Sequence, residues 1–266
     1  MRRYLAVFLI DWQNQFVYRL NFLLWRLRNI LRLLMTFFLW KGIYQTGSAV
    51  FGFSQPQMFS YILLVLLVQS IILSAPSADN IGGEIGSGDL SNYLVKPISY
   101  LKYWFVRDLS SKLLNVICAL IEIFLLWLIF RPELVLNFSV SSLIGFLLIC
   151  LVSVPAYYFL SLLTRFVSFW NPENTWGLSF LIIIFIETLA GSIFPLDILP
   201  AWGKLAVQFT PFPYLIYYPA AIFLGKITGF YLLRILLQAF IWMLILFFFA
   251  RLVWIKGLRV YGAEGK

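Results

Sequence analysis

Long runs of apolar residues, separated by short charged or proline-containing segments, dominate the sequence. Six of these runs are about 20 residues long, the length that an α-helix needs to cross the hydrocarbon core of a bilayer. The pattern therefore predicts an all-α integral membrane protein with six transmembrane helices. The predicted spans are at about 29–49, 57–75, 109–130, 140–164, 176–194 and 229–254.

The first 28 residues have a different pattern, in which apolar and polar positions fall on opposite sides of a helix. The apolar side holds Leu5, Leu9, Phe16, Leu20, Leu23 and Leu27, and the polar side holds Asp11, Gln15, Arg19 and Arg26. Such a helix lies along the membrane surface, with its tryptophans at headgroup level. Residues 1–28 are therefore predicted to form an interfacial amphipathic helix, followed by a transmembrane domain over 29–266.

The basic residues predict the orientation of the six spans. With the N-terminus in the cytoplasm, fifteen of the twenty lysines and arginines lie on the inner side. The outer side then holds Lys41, Arg131, Lys204, Lys226 and Arg234. Because cytoplasmic loops of membrane proteins are enriched in Lys and Arg, both termini are predicted to be cytoplasmic.

Composition supports a membrane protein and excludes several classes of function. The chain is 62% hydrophobic and only 12% charged, with a net charge of +9. A soluble domain carries roughly twice that share of charged residues. The absence of histidine excludes histidine-based catalysis. In a membrane protein a positive net charge indicates which loops are cytoplasmic, rather than nucleic-acid binding. Without a phosphate-binding loop or a carboxylate pair, the chain is expected to bind no cofactor and to be no enzyme.

The segment at about 194–228, on the predicted outer side, is too long to be a simple turn. It contains five of the eleven prolines, and Asp197 and Gly225 predict the start and end of two short helices at about 199–209 and 214–224. Proline breaks prevent these helices from fusing into a seventh span, so they are predicted to be re-entrant in the outer leaflet. The hypothesis is a hydrophobic lid built from Pro195, Pro200, Trp202, Phe209, Pro211 and Pro213. The alternative is a segment that only anchors the fifth and sixth spans at the interface.

Two acidic residues, Glu122 and Glu187, lie inside the third and fifth predicted spans. An acid within a membrane is costly enough to suggest function. The alternative is a carboxyl group that is protonated, or paired with a basic side chain, at a contact between helices. The predicted spans show no polar stripe, which predicts that permeation runs between two subunits rather than through one.

Several segments resemble the type-2 permeases of ABC transporters, and the resemblance covers nearly the whole chain. Residues 84–99 are similar to the cytoplasmic coupling segment of a viologen-exporter-like branch, and residues 194–226 are similar to its proline-rich outer loop. The basic tail with Tyr261 and Gly265 and the N-terminal Tyr18-Arg19 and Asn21 also fit. In the coupling segment the resemblance falls on Glu84, Ile85, Gly88, Asp89, Leu90, Tyr93, Leu94, Lys96 and Pro97.

The resemblance implies an exporter of amphipathic or hydrophobic substrates in the cytoplasmic membrane of a bacterium. Such a permease works with a second permease subunit, identical or not, and with a dimer of cytoplasmic ATPases that binds ATP and Mg²⁺. It implies that the coupling segment contains a short coupling helix that docks on the ATPase. The rival hypothesis is a secondary transporter or channel subunit, which would favour an internal repeat and helices broken near the midplane.

Overall fold

The computed structural model describes residues 2–17, 19–46, 49–50, 52–75, 77–135 and 139–262. Tyr18 and Gly265, two residues of the resemblance, lie outside them. Apart from a two-residue hairpin of β1 (Ala49–Val50) and β2 (Phe53–Ser54), the regular structure there is helical, which confirms the all-α prediction. The α-helices are α1 (Arg2–Val17), α2 (Arg19–Ile43), α3 (Gln55–Ile72), α4 (Ser77–Gly86), α5 (Leu90–Leu94), α6 (Tyr100–Phe130), α7 (Val140–Arg165), α8 (Thr175–Leu189), α9 (Ala201–Gln208), α10 (Tyr217–Phe223) and α11 (Gly229–Val260).

Four helical segments in the described part of the chain are long and apolar enough to cross a membrane. They are α3, α6, α11 and the run formed by α7 with the 3-10 turn that follows it, Val140–Phe169. These correspond to the second, third, sixth and fourth predicted spans. The remaining two predictions coincide with α2, which is long but carries several arginines, and with α8, whose apolar part is Gly177–Leu189.

The first two helices divide differently from the prediction. The predicted amphipathic helix ran through residue 28, but α1 ends at Val17 and α2 continues from Arg19 to Ile43 without a break at that boundary. On α1 the apolar residues Leu5 and Leu9 are exposed, whereas Asp11 is buried. The polar side of α1 therefore packs on protein, and its apolar side faces outward.

The helix α3 forms the centre of the bundle. Met58, Val68 and Ile72 on α3 are completely buried, and α2, α6, α7 and α10 pack around the helix. In contrast, α11 exposes large apolar side chains such as Phe240 and Phe248. Extended exposed apolar surface of this kind marks contact with a membrane or with another protein.

A second, smaller apolar cluster lies around α4 and α5 and the ends of the long helices. It contains Ile81, Leu90, Trp104, Phe166 and Phe169. The indole of Trp254 on α11 stacks on the ring of Tyr100 with a centroid distance of 5.7 Å. This cluster joins the segment predicted to couple to the ATPase with the ends of α6, α7 and α11.

Candidate functional site

The segment 77–97, termed the inner elbow, folds as two helices that meet at a sharp turn. The turn is made possible by Gly88, whose φ of +84° lies in the left-handed region that favours glycine. Gly86, at the end of the first of these helices, packs closely on the chain: a Cβ added there would lie 2.9 Å from Cβ of Pro172. The predicted coupling helix corresponds to α5, which is short and follows this turn.

Glu84 holds the inner elbow against the start of α6. Its carboxylate accepts hydrogen bonds from the hydroxyls of Tyr93 (3.1 Å) and Tyr100 (2.6 Å) and from Nε1 of Trp104 (3.0 Å). Burial and the neighbouring carboxylate raise the pKa of Tyr93, which keeps its phenol a donor. Glu84 thus links both helices of the inner elbow to α6.

Two further contacts tie the inner elbow to the ends of the chain. The hydroxyl of Tyr261 donates to the carbonyl oxygen of Gly88 (2.6 Å) and accepts from the backbone N–H of Ser91 (3.2 Å). Near the other end, the Arg3 guanidinium donates to the carbonyl oxygen of Pro97 (3.1 Å). The inner elbow therefore contacts α1, α6 and the end of α11 at once.

The predicted coupling residues divide into an inward and an outward set. Glu84, Ile85 and Tyr93 are buried or half-buried, and Gly88 provides the turn. The outward set is exposed and consists of Asp89, Leu94, Lys96 and Pro97. We term the surface formed by this outward set and Val95 the elbow tip.

Sequence reasoning missed Val95, which is 84% exposed and is the most prominent apolar residue of the elbow tip. It also missed Tyr100 and Trp104, the main partners of Glu84. Their i, i+4 spacing at the entrance to an apolar helix is a signal that could have found them, because it places both on one face.

The two acids within predicted spans are each paired with an arginine of α2. Nε and Nη2 of Arg26 lie 2.7 Å and 2.6 Å from Oε1 of Glu122, and both side chains are buried. Arg32 pairs with Glu187 in a more exposed position. The pairing observed here is the arrangement of the second hypothesis, a charge-paired acid at a helix contact. It also provides both of these arginines of α2 with a carboxylate partner on another helix.

An open cavity of about 1140 Å³ lies between the helices and is lined by residues of α1, α2, α3, α4, α6, α7 and α8. Arg26, Arg32, Gln69 and Glu187 all line it. A single subunit therefore contains polar space although no predicted span has a polar stripe, because the buried Arg26 of α2 lies toward the cavity. The predicted pathway between two subunits stays a prediction.

The outer segment contains the two predicted short helices, with slightly tighter bounds, as α9 and α10. Gly225 adopts a φ of +72° just after α10 ends, as predicted. Asp197 is not the helix cap that was expected, because Pro200 occupies that position. Its carboxylate instead accepts from Nζ of Lys204 on α9 and from the hydroxyl of Tyr217 on α10, each at 2.9 Å, so it holds the two helices together.

The six predicted lid residues lie in different environments. Trp202 on α9 and Phe209 directly after it are 77% and 73% exposed, whereas Pro195 and Pro213 are buried. Pro200 is exposed and Pro211 is half-buried. All six lie outside the set of residues that line the cavity.

Two comparisons with known proteins complete these observations. A family model described as "ABC-2 family transporter protein" matches residues 30–265, which is most of the chain. A search of curated protein sequences gave no match.

Proposed function

The chain belongs to the ABC-2 family of transporter proteins, and we propose that it is the permease subunit of an ABC exporter driven by a separate cytoplasmic ATPase. Family membership and the apolar helices make the protein a multi-pass membrane permease. The proposal adds the direction of transport and a dimer of ATPases that holds ATP and Mg²⁺. It also adds a second permease subunit and a place in the cytoplasmic membrane of a bacterium.

The observation that carries the proposal is the construction of the inner elbow. Its tip exposes apolar and charged side chains together, whereas its base is fixed to α6 through Glu84 and to the end of α11 through Tyr261. An exposed patch on a well-anchored base is suited to docking a partner, because force applied at the tip reaches both long helices. A mobile solvated loop would lack these ties.

In the proposed mechanism, closure of the ATPase dimer on ATP displaces the elbow tip. The hydrogen bonds of Glu84 pass the displacement to the start of α6, and the Tyr261–Gly88 bond passes it to α11. Arg3 on α1 braces the tip through Pro97. The long helices then move as rigid bodies between inward-open and outward-open arrangements.

We further propose that α2 and α8 complete a set of six spans, with both termini in the cytoplasm. The paired charges on α2 support this, since Arg26 and Arg32 enter the bundle with carboxylate partners rather than facing lipid. α1, with its exposed apolar side, is then the interfacial helix.

Co-purification tests the proposal against its rival. A tagged chain, expressed in its native cell and purified in mild detergent, should carry a stoichiometric ATP-hydrolysing partner. The double variant Leu94→Asp/Val95→Asp should lose that partner, whereas Asn92→Asp, an exposed change on the same helix, should keep it. A fully active transporter that purifies without any ATPase would instead establish a secondary transporter or channel.

A further inference from the structure

We propose that the cavity inside the bundle binds the anionic head group of an amphiphilic substrate. The proposal rests on the proposed permease function and names the chemical class of what is transported. It makes the cavity a loading site within each subunit, which is compatible with release between two subunits.

The dimensions of the cavity suit a head group with part of an alkyl chain. Its volume is about 1140 Å³, slightly above the roughly 300–1,000 Å³ of small-molecule sites. On α2 the lining extends from Phe22 to Thr36, which corresponds to about 21 Å along the helix axis. That distance is about two thirds of a hydrocarbon core of about 30 Å.

The charges on the lining favour an anion. Five arginines line the cavity, against two carboxylates, Asp11 and Glu187. These carboxylates pair with Arg107 and Arg32, and Arg26 pairs with Glu122, which is outside the lining set. The five arginines thus outnumber these three carboxylates by two. Guanidinium groups bind carboxylate and phosphate through two parallel hydrogen bonds, which makes arginine the residue that best recognises such head groups. The five arginines are Arg26, Arg28, Arg32, Arg107 and Arg165.

A buried amide donor supports the same conclusion independently of the charges. Nε2 of Gln69, a residue that lines the cavity, is buried and has no hydrogen-bond partner among the described residues. Buried polar groups in proteins are nearly always hydrogen-bonded, so an orphaned donor calls for an acceptor. An oxygen of an anionic head group would provide that acceptor after the Gln69 side chain turns its amide nitrogen, which is closed off from solvent, toward the cavity.

The remaining wall explains why the ligand is an amphiphile rather than a small anion. Phe22, Trp25, Ile62, Leu66 and Ile183 supply apolar surface next to the arginines. The guanidinium of Arg28 lies 4.0 Å from the ring centroid of Trp25, so a cationic and an apolar group meet at one position. A molecule with a charged head and an alkyl chain can contact both.

Tryptophan quenching tests this proposal, since Trp25 lies in the wall. The purified full chain, in neutral detergent and without ATPase, is titrated with 9,10-dibromostearate, with its methyl ester and with a brominated alkyltrimethylammonium of similar length. We expect saturable quenching by the carboxylate alone, with the other two giving only the linear quenching of probes dissolved in the micelle. The saturable part should disappear in Trp25→Phe, and inorganic phosphate should compete only weakly because it lacks the chain.

Charge variants show whether the arginines are responsible. Arg28→Gln should weaken dibromostearate binding about tenfold, and Arg28→Lys, which keeps the charge but loses the planar fork, should weaken it less. Arg251→Gln removes the same charge from an exposed position outside the cavity lining. This variant should bind dibromostearate as tightly as the unaltered chain does. Equal quenching by all three probes, or binding unchanged in Arg28→Gln, would overturn the proposal.

These outcomes are separate from those of the co-purification experiment. A chain that carries its ATPase but shows no head-group preference would refute the anionic substrate and leave the permease standing. A chain that binds dibromostearate selectively but never carries an ATPase would refute the ABC exporter instead.

Discussion

The hydroxyl of Tyr261 donates a 2.6 Å hydrogen bond to the carbonyl oxygen of Gly88, although the residues are 173 positions apart in the chain. The acceptor is the residue whose left-handed conformation makes the turn of the inner elbow. The donor follows directly after α11 ends. The tail of the protein therefore holds the turn on which the proposed coupling depends.

The first prediction is that Tyr261→Phe loosens the inner elbow without unfolding the bundle. Loss of the two hydrogen bonds of its hydroxyl should lower local stability by about 2 kcal/mol, at about 1 kcal/mol for each bond. Amide hydrogen exchange of residues 87–95 should accelerate about thirtyfold, whereas exchange in α3 should stay unchanged. Tyr231→Phe, which removes a hydroxyl near the other end of α11, is the control and should leave the inner elbow protected.

Gly257 provides a test of how α11 packs against the turn that follows α7. A Cβ at this position would lie 2.2 Å from Cδ2 of Phe169, so Gly257→Ala must push the two elements apart. Overpacking of this kind costs about 1–3 kcal/mol, which thermal unfolding in detergent should detect. Gly83→Ala is the matched control, because Gly83 is also helical and has nothing within 4 Å of its added Cβ. Equal stability of the two variants would contradict the described packing.

A double-mutant cycle tests the role of the acid within the third predicted span. If Glu122 is structural, Glu122→Gln or Arg26→Gln alone should destabilise the protein by about 3–5 kcal/mol, because each leaves a buried charge unpaired. The double variant should recover most of that loss. The Arg32–Glu187 pair, whose side chains are 42% and 26% exposed, should show a smaller coupling. A double variant that is stable but inactive in transport would instead show that the Arg26–Glu122 pair has a role in transport.

Trp202 and Phe209 distinguish a lid from an anchor in the outer segment. If α9 closes the outer mouth, Trp202→Ala/Phe209→Ala should increase ion leak through proteoliposomes that contain the permease at equal density. Phe230→Ala, at a residue that is 83% exposed at the start of α11, controls for the loss of surface aromatic area. Unchanged leak and unchanged export in the double variant would leave only the anchoring role.

Much of the fold could be predicted because membrane spans depend on local sequence. The apolar runs of α3, α6, α7 and α11 are long enough to be recognised as membrane spans from the sequence. The prolines around α9 and α10 predict short helices there, because a broken helix exposed to lipid would leave backbone groups without hydrogen bonds. The left-handed turn after α10 followed from Gly225 alone, because glycine adopts that conformation without strain.

The features that could not be predicted depend on contacts between residues that are distant in sequence. The bounds of α2 could not be predicted from its own residues. Two of its arginines pair with Glu122 and Glu187, and both of these acids lie on other helices. The cavity was missed for the same reason: its polar lining is spread over seven helices, and no single predicted span has a polar stripe. The neighbouring sequence of Asp197 is typical of a helix cap, but its carboxylate accepts hydrogen bonds from the side chains of Lys204 and Tyr217 instead.

Site-specific photo-crosslinking from the elbow tip tests the central claim most directly. A photoreactive phenylalanine analogue is placed at Val95, or at Val140, which is 77% exposed and begins α7. With the permease in its native membrane, we expect an ATP-sensitive crosslink from Val95 to the ATPase and none from Val140. A crosslink from Val140 without one from Val95 would contradict both the docking surface and the orientation of the protein in the membrane.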